Sequence, residues 1–302
     1  MIQIHPEVKD FKARIPDYVR RIETYMAQVL PPASKPPEEL HEAMRYATLS
    51  SGKRIRPLLV YASGECLGID PIKLDAPAAA IEFIHAFSLV HDDLPAMDND
   101  DLRRGQPTVH IKYGEAIAIL AADALQPLAF QLISGEQHLN NQEVRSLTSL
   151  ISKACGSLGM TGGQAMDLKS EGRSLLVEEI TEMYLLKTGA LISASIMAAG
   201  CIADRIDSTH LSAINGFSLD IGLAFQIRDD ILDVDGNTST IGKPAGSDQD
   251  KDKATWPALF GMDESINICQ RLSESAHEKL NIFGKEADPL RMLAKLIVGR
   301  NR

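Results

Sequence analysis

The densest chemistry in the chain lies in HDDLPAMDNDDLRRG, where Asp92, Asp93, Asp98, Asp100 and Asp101 crowd together and Arg103 and Arg104 follow at once. Carboxylates this close repel one another, and a cation relieves the repulsion. Pro95 cannot donate a hydrogen bond inside a helix. The spacing therefore predicts that Asp92 and Asp93 end a helix while Asp98 returns from the following turn, so that carboxylates from two backbone segments converge. A solvated acidic helix end is the plainer reading of such a cluster taken alone. A second segment argues for the sharper one. In FQIRDDILD, Gln226, Asp229 and Asp233 fall at i, i+3 and i+7 on one helix face, flanked by the apolar Phe225, Ile227 and Ile231. Carboxylates in so apolar a helix are costly to desolvate, and a metal ion or ligand should neutralise them.

All-oxygen donor sets suit Mg²⁺, which keeps waters and is shared between one or two protein carboxylates and the phosphate oxygens of a substrate. Zinc is not supported, because His85 and His91 have no HxxxH or CxxC partner. Basic residues stand where a diphosphate needs them: SGKRIRP sets Lys53 and Arg56 one turn apart, an ammonium and a guanidinium able to grip phosphate oxygens from adjacent points. His85, Ser88 and Asp92 again lie at i, i+3 and i+7, a face running from a histidine to a metal ligand. Lys187-Thr188-Gly189 reads equally as pocket groups or as a helix C-cap. The polar stretch from Gly236 to Lys253, which carries Lys243, is either a lid or a plain connection.

Helices must position these side chains. Apolar residues recur at three- and four-residue spacing, as in Ile81, Ile84, Phe87 and Val90, or Ile180, Met183, Leu186 and Ala190. Period-two alternation is hard to find and aromatic residues make up only 5% of the chain, so an all-α fold with few or no strands is expected. Breaks fall at Pro31–Pro37, Gly68–Pro71, Pro95–Pro107, Ser134–Asn141, Ser170–Ser174 and Gly236–Lys253, giving about ten helical segments. None has the length or simplicity of an inter-domain linker, so one domain over 1–302 is the economical organisation.

Composition excludes other classes. With 44% apolar residues the chain can bury a large core, and a formal charge of −10 argues against a nucleic-acid partner. Cys66, Cys155, Cys201 and Cys269 are scattered singly, which fits neither a disulfide framework nor a CxxC site and points to a reducing cytoplasm. The first residues mix charge with apolar groups, unlike a secretory leader. The longest apolar stretch is read as Ala190 to Ala203, short of the roughly 20 residues of a membrane span.

Taken together, SGKRIRP, EFIHAFSLVHDDLPAMDNDDLRRGQPT, GGQAMDL, KTG, FQIRDDILDV and IGKPAGSDQDKDKATWP resemble, in order and spacing, the trans-type isoprenyl (polyprenyl) diphosphate synthases, and most nearly their bacterial C15-forming branch. The resemblance covers nearly the whole chain. It implies a helical isoprenoid synthase fold around a central cavity, a cytoplasmic homodimer, and three Mg²⁺ ions. By position, Asp92, Asp98 and Asp229 match its metal ligands, with Asp93 and Asp233 in support. Lys53, Arg56, His85 and Arg104 match the isopentenyl diphosphate site, while Arg103, Lys187, Thr188, Gln226, Lys243 and Lys253 match the allylic diphosphate side. The implied reaction joins isopentenyl diphosphate to dimethylallyl and then geranyl diphosphate, giving farnesyl diphosphate. Phe87 and Ser88, about a turn before the Asp pair, would line the product tunnel and set chain length. Geranylgeranyl or geranyl diphosphate synthesis is the alternative, and a silent regulatory subunit a lesser one. Ser51 for a glycine, Trp256 for a tyrosine and Asn99 within the acidic run depart from the pattern without removing a proposed ligand.

Overall fold

Proline, glycine and short polar clusters punctuate the chain where its helices stop. The computed structural model describes residues 11–235 and 254–299. Its helices are α1 (Phe11–Val29), α2 (Glu38–Leu49), α3 (Ile55–Cys66), α4 (Asp75–Asp92), α5 (Val109–Tyr113), α6 (Glu115–Gly135), α7 (Asn141–Cys155), α8 (Met160–Ser170), α9 (Val177–Tyr184), α10 (Ala190–Ile202), α11 (Ser208–Asp235), α12 (Trp256–Phe260), α13 (Met262–Lys279) and α14 (Asp288–Val298). Residue chemistry explains the boundaries. Asn140 caps α7, accepting from the backbone N–H groups of Gln142 and Glu143, while the Glu143 carboxylate accepts from Asn140 N. The only strands among the described residues, β1 (Leu102–Arg103) and β2 (Gln106–Pro107), form a minimal antiparallel hairpin.

α4 is the central element. It is buried on nearly every side, from Ala76 to Val90, as its almost continuous apolar sequence requires, and it packs against α1, α2, α3, α6 and α10. Its apolar residues share one core cluster with those of α6, α7 and α10. A second cluster joins α3, α10, α11 and α14 through residues such as Leu59, Ile196, Phe217 and Leu293. A third joins Ile180, Met183 and Tyr184 of α9 to Ile227 and Ile231 of α11 and to Trp256. α11, 28 residues and about 42 Å long, runs through the last two clusters and carries the second acidic motif between them.

Two helical segments are longer and more apolar than the sequence reading allowed. Glu115–Gly135 and the joined Val177–Ile202 each reach the length and apolarity of a membrane crossing among the described residues. Ala190–Ala203 is therefore not the longest apolar stretch. Physical position accounts for both: α6 lays Ala118, Ala121, Ala122, Leu125 and Ala129 into the core, where α4 packs on it, and the second segment carries Lys187 and Thr188 into a polar cavity.

Candidate active site

A cavity of about 960 Å³ opens among α3, α4, α8, the end of α9 with the turn that follows it, and α11, and most of the residues singled out in the sequence line it. Lys53, Arg56, His85, Phe87, Ser88, Asp92, Asp98, Arg103, Arg104, Lys187, Thr188, Gln226, Asp229 and Asp233 all reach its wall. Lys243 and Lys253 lie outside the described residues, as does the polar stretch between Gly236 and Lys253.

The first acidic motif is shaped by its backbone. α4 ends at Asp92, and the chain turns back so that Asp98 N donates to the Asp92 carbonyl at 2.8 Å. Asn99 accommodates the turn in the left-handed region at φ 52°. Asp92 and Asp98 thus reach the cavity from two backbone segments. Desolvation outweighs the opposing charge of Lys187 and, with Asp98 adding repulsion, pushes the Asp92 carboxyl up to about 6.

Asp93 does not line this cavity. It is buried and accepts from Arg103 Nε at 2.7 and 2.9 Å and from Arg103 Nη2 at 2.5 Å. Burial still raises its carboxyl above the ordinary value despite the ion pair. Its place is behind Arg103, holding that guanidinium at the cavity wall, because adjacent residues at a helix end point in different directions. The two-residue turn of the hairpin has positive φ at both Arg104 (54°) and Gly105 (75°), the geometry that suits a tight antiparallel pair. It directs Arg104 Nη1 back to the Ser51 carbonyl at 2.8 Å, beside Lys53.

Arg54, between the two basic residues of SGKRIRP, is buried and left-handed at φ 51°. It donates to Glu82 on α4 at 3.1 Å, to Glu23 on α1 at 3.3 Å and to the Ser50 carbonyl at 2.8 Å. This anchored guanidinium fixes the turn that presents Lys53 and Arg56 to the cavity. His85 faces them, and burial together with the Arg56 and Arg104 charges holds its imidazole well below the ordinary value, so it stays neutral.

Lys187-Thr188-Gly189 is not a helix end. α9 continues into α10 through a π-helical turn, Leu185–Gly189. Such turns widen the helix and recur at functional sites. Neighbouring glycines let the backbone come close on two sides: a Cβ at Gly163 of α8 would sit 2.1 Å from Lys187 N, and one at Gly222 of α11 would sit 2.8 Å from Gly189 Cα. Lys187 Nζ donates to Asp167 Oδ2 of α8 at 2.5 Å, and Thr188 Oγ1 donates to Gln226 Oε1 at 2.6 Å.

The structure adds residues that the sequence reading left without a role. Asp167 and Gln164, both within GGQAMDL, line the cavity, and both amide atoms of Gln164 are buried without a hydrogen-bond partner among the described residues. Asp230 is buried and receives hydrogen bonds from Tyr184, Gln226 and Trp256 N. Its i, i+4 spacing from Gln226 was the one signal available. Burial and the Asp230 charge raise the Tyr184 phenol well above its ordinary value, so it remains a donor.

The donor set fits a hard cation. Asp92, Asp98, Asp229 and Asp233 offer only oxygen. Among the described residues no group of three His, Cys, Asp or Glu side chains is placed to hold a metal alone. An ion here would complete its shell with water and with the oxygens of a bound diphosphate, the usual habit of Mg²⁺.

An all-helical assembly around a cavity with two acidic segments and a set of basic groups defines a prenyltransferase, and the chain belongs to the polyprenyl synthetase family, whose model matches residues 37–286. It is 41% identical over 97% of its length to the whole of a farnesyl diphosphate synthase from Escherichia coli. It is 40% identical over 88% of its length to a chloroplastic geranylgeranyl pyrophosphate synthase from Catharanthus roseus, covering 75% of that protein. A geranyltransferase from Helicobacter pylori, complexed with magnesium and isoprenyl diphosphate, superposes with a TM-score of 0.88 at 29% identity, covering 98% of this chain and all of that one.

Proposed function

We propose that this chain, as one domain over residues 1–302, condenses isopentenyl diphosphate with dimethylallyl and then geranyl diphosphate to give farnesyl diphosphate. The observation that carries the reading is the cavity itself, in which carboxylates, cations and an apolar wall that includes Phe87, Leu168 and Phe225 meet in about 960 Å³. Mg²⁺, held by Asp92, Asp98 and Asp229 with support from Asp233, would neutralise the diphosphate and the charge that gathers on it as it leaves. The ion count implied by the resemblance is three. Asp93 supports by holding Arg103. Lys187, fixed by Asp167, and Arg103 grip the allylic diphosphate, joined by Lys243 and Lys253 on grounds of sequence alone.

Ionisation of the allylic C1–O bond leaves a delocalised cation, faced by the oxygens of Thr188 and Gln226. Lys53, Arg56, Arg104 and neutral His85 hold isopentenyl diphosphate so that its alkene attacks C1. The new bond forms head to tail, and a proton then passes to the released diphosphate. Phe87, 8% exposed at the cavity wall with its ring 4.7 Å from that of His91, narrows the far end of the tunnel, with Ser88 beside it.

The protein is also proposed to act as a cytoplasmic homodimer without a membrane span. The outer side of α6 supports the dimer: Ile119 and Leu120 are exposed on a helix otherwise rich in alanine and leucine. The four cysteines are free, which suits a reducing compartment. Geranylgeranyl diphosphate synthesis is the second reading, favoured by the 40% identity to the plant enzyme.

Incubating the purified protein with isopentenyl and dimethylallyl diphosphates, in Mg²⁺ or in EDTA, and separating the dephosphorylated products tests this. Metal-dependent farnesol is expected. Geranylgeraniol would support the second reading, and no elongation in Mg²⁺ would overturn both.

A further inference from the structure

Four polar side chains and one backbone N–H form a continuous relay beside the cavity, and the acceptor-only chemistry of one member fixes the polarity of the rest. Asp230 as a carboxylate can only accept. Its Oδ2 accepts from the Tyr184 phenol and from Trp256 N at 3.0 Å, and its Oδ1 accepts from Gln226 Nε2 at 3.1 Å. The Gln226 amide is thereby oriented: its nitrogen must face Asp230, so its oxygen faces Thr188. Thr188 Oγ1 then spends its single proton on Gln226 Oε1 at 2.6 Å. What Thr188 has left for the cavity is lone pairs.

We infer that Tyr184 and Asp230 are positioning residues whose relay locks Gln226 and Thr188 with their oxygens toward the reacting carbon, presetting a negative patch for the cation of the proposed reaction. The inference rests on the functional reading above. It assigns Asp230 a role distinct from its neighbour Asp229. Asp229 reaches the cavity less deeply buried, whereas Asp230 is 2% exposed and ties together three parts of the chain: the end of α9, the C-terminal part of α11 and the start of α12. Preset dipoles of this kind stabilise developing charge without having to reorient during the reaction.

Asp230→Asn breaks the logic with little change in volume. An asparagine can offer its own N–H₂ to Gln226, which lets the Gln226 amide turn over and present nitrogen to Thr188; Thr188 must then accept, and its proton is freed toward the cavity. Tyr184→Phe removes one donor and leaves the Asp230–Gln226 bond in place. Steady-state kinetics would be measured on both variants. Calorimetry would follow the binding of a thiolo analogue of geranyl diphosphate, which does not ionise, across a Mg²⁺ titration, and thermal unfolding would report folding.

The expected result for Asp230→Asn is a fall in kcat of about 10- to 100-fold, with KM for both diphosphates and the Mg²⁺ dependence of analogue binding unchanged. For Tyr184→Phe, kcat should fall about fivefold, less than the full worth of a hydrogen bond to a carboxylate because the Asp230–Gln226 bond stays in place. Unchanged kcat in both variants overturns the relay. A higher Mg²⁺ requirement for analogue binding in Asp230→Asn also overturns it, by making Asp230 a metal ligand. If Asp230→Asn does not fold, Tyr184→Phe decides alone by the same split between kcat and KM. A wild-type protein that does not elongate would overturn the functional reading instead.

Discussion

Asp92→Asn should make the metal-free protein more stable at neutral pH while removing its activity. Burial places the Asp92 carboxyl at about 6, against an ordinary value of 3.8. Below about pH 4 both the folded and the unfolded chain hold the proton, and Asp92 costs nothing. Between about pH 4 and 6 the unfolded chain gives up a proton that the folded protein still holds, so stability falls as pH rises through this window. Above it the loss is complete. The shift of about two units is worth about 3 kcal/mol at 1.36 kcal/mol per unit, and the half-buried position of the side chain brings the expected loss to about 1–3 kcal/mol. Urea unfolding in EDTA, at pH 4 to 8, of wild type and Asp92→Asn would measure it. The variant should match wild type near pH 4 and exceed it by about 1–3 kcal/mol at pH 7. Adding Mg²⁺ and diphosphate should stabilise wild type far more than the variant. A wild-type minus variant difference that is flat across this range would refute the argument, since the asparagine removes only the titrating group.

Two further substitutions test the cavity. Phe87→Ala, which opens the tunnel beside His91, should lengthen the products beyond C15 with turnover retained; chromatography showing an unchanged C15 distribution would remove Phe87 from the floor. Gly163→Ala drives a Cβ into the backbone at Lys187 and should cost about 1–3 kcal/mol in unfolding measurements while lowering kcat by a larger factor than KM changes, because it displaces the turn that carries Lys187 and Thr188. Equal kcat in this variant would mean that the turn tolerates displacement.

The helices were legible because punctuation and periodicity agree: Pro31 to Pro37 separates α1 from α2, Ser134 to Asn141 separates α6 from α7, and Ser170 to Ser174 separates α8 from α9. The hairpin at Leu102–Pro107 was not, since strands of two residues carry no period to read. Spacing alone put Gln226, Asp229 and Asp233 on one stripe, and the cavity collects all three. It could not separate Asp93 from Asp92 or give Asp230 a place, because the partner of each inward carboxylate, Arg103 for one and Tyr184 with Trp256 N for the other, comes from another segment. Lys187 stood between a pocket group and a cap for a similar reason. A π turn has no composition of its own, and the glycines that accommodate it lie on α8 and α11 rather than beside it.

That turn also sets the phase of the longer of the two long apolar helical segments found among the described residues. Winding a helix with one additional residue advances everything downstream by about 100° relative to a regular α-helix. Ile180 and Met183 upstream of it accordingly face Ile227, Ile231 and Trp256, while Leu191, Ala194 and Ala198 downstream join the cluster built around α4. Regular winding through residues 185–189 would turn the two stripes about 100° out of their present relation. The extra residue is thus shared between architecture and chemistry: the same local unwinding that turns the segment from one core to the other opens the gap through which Lys187 and Thr188 reach the cavity.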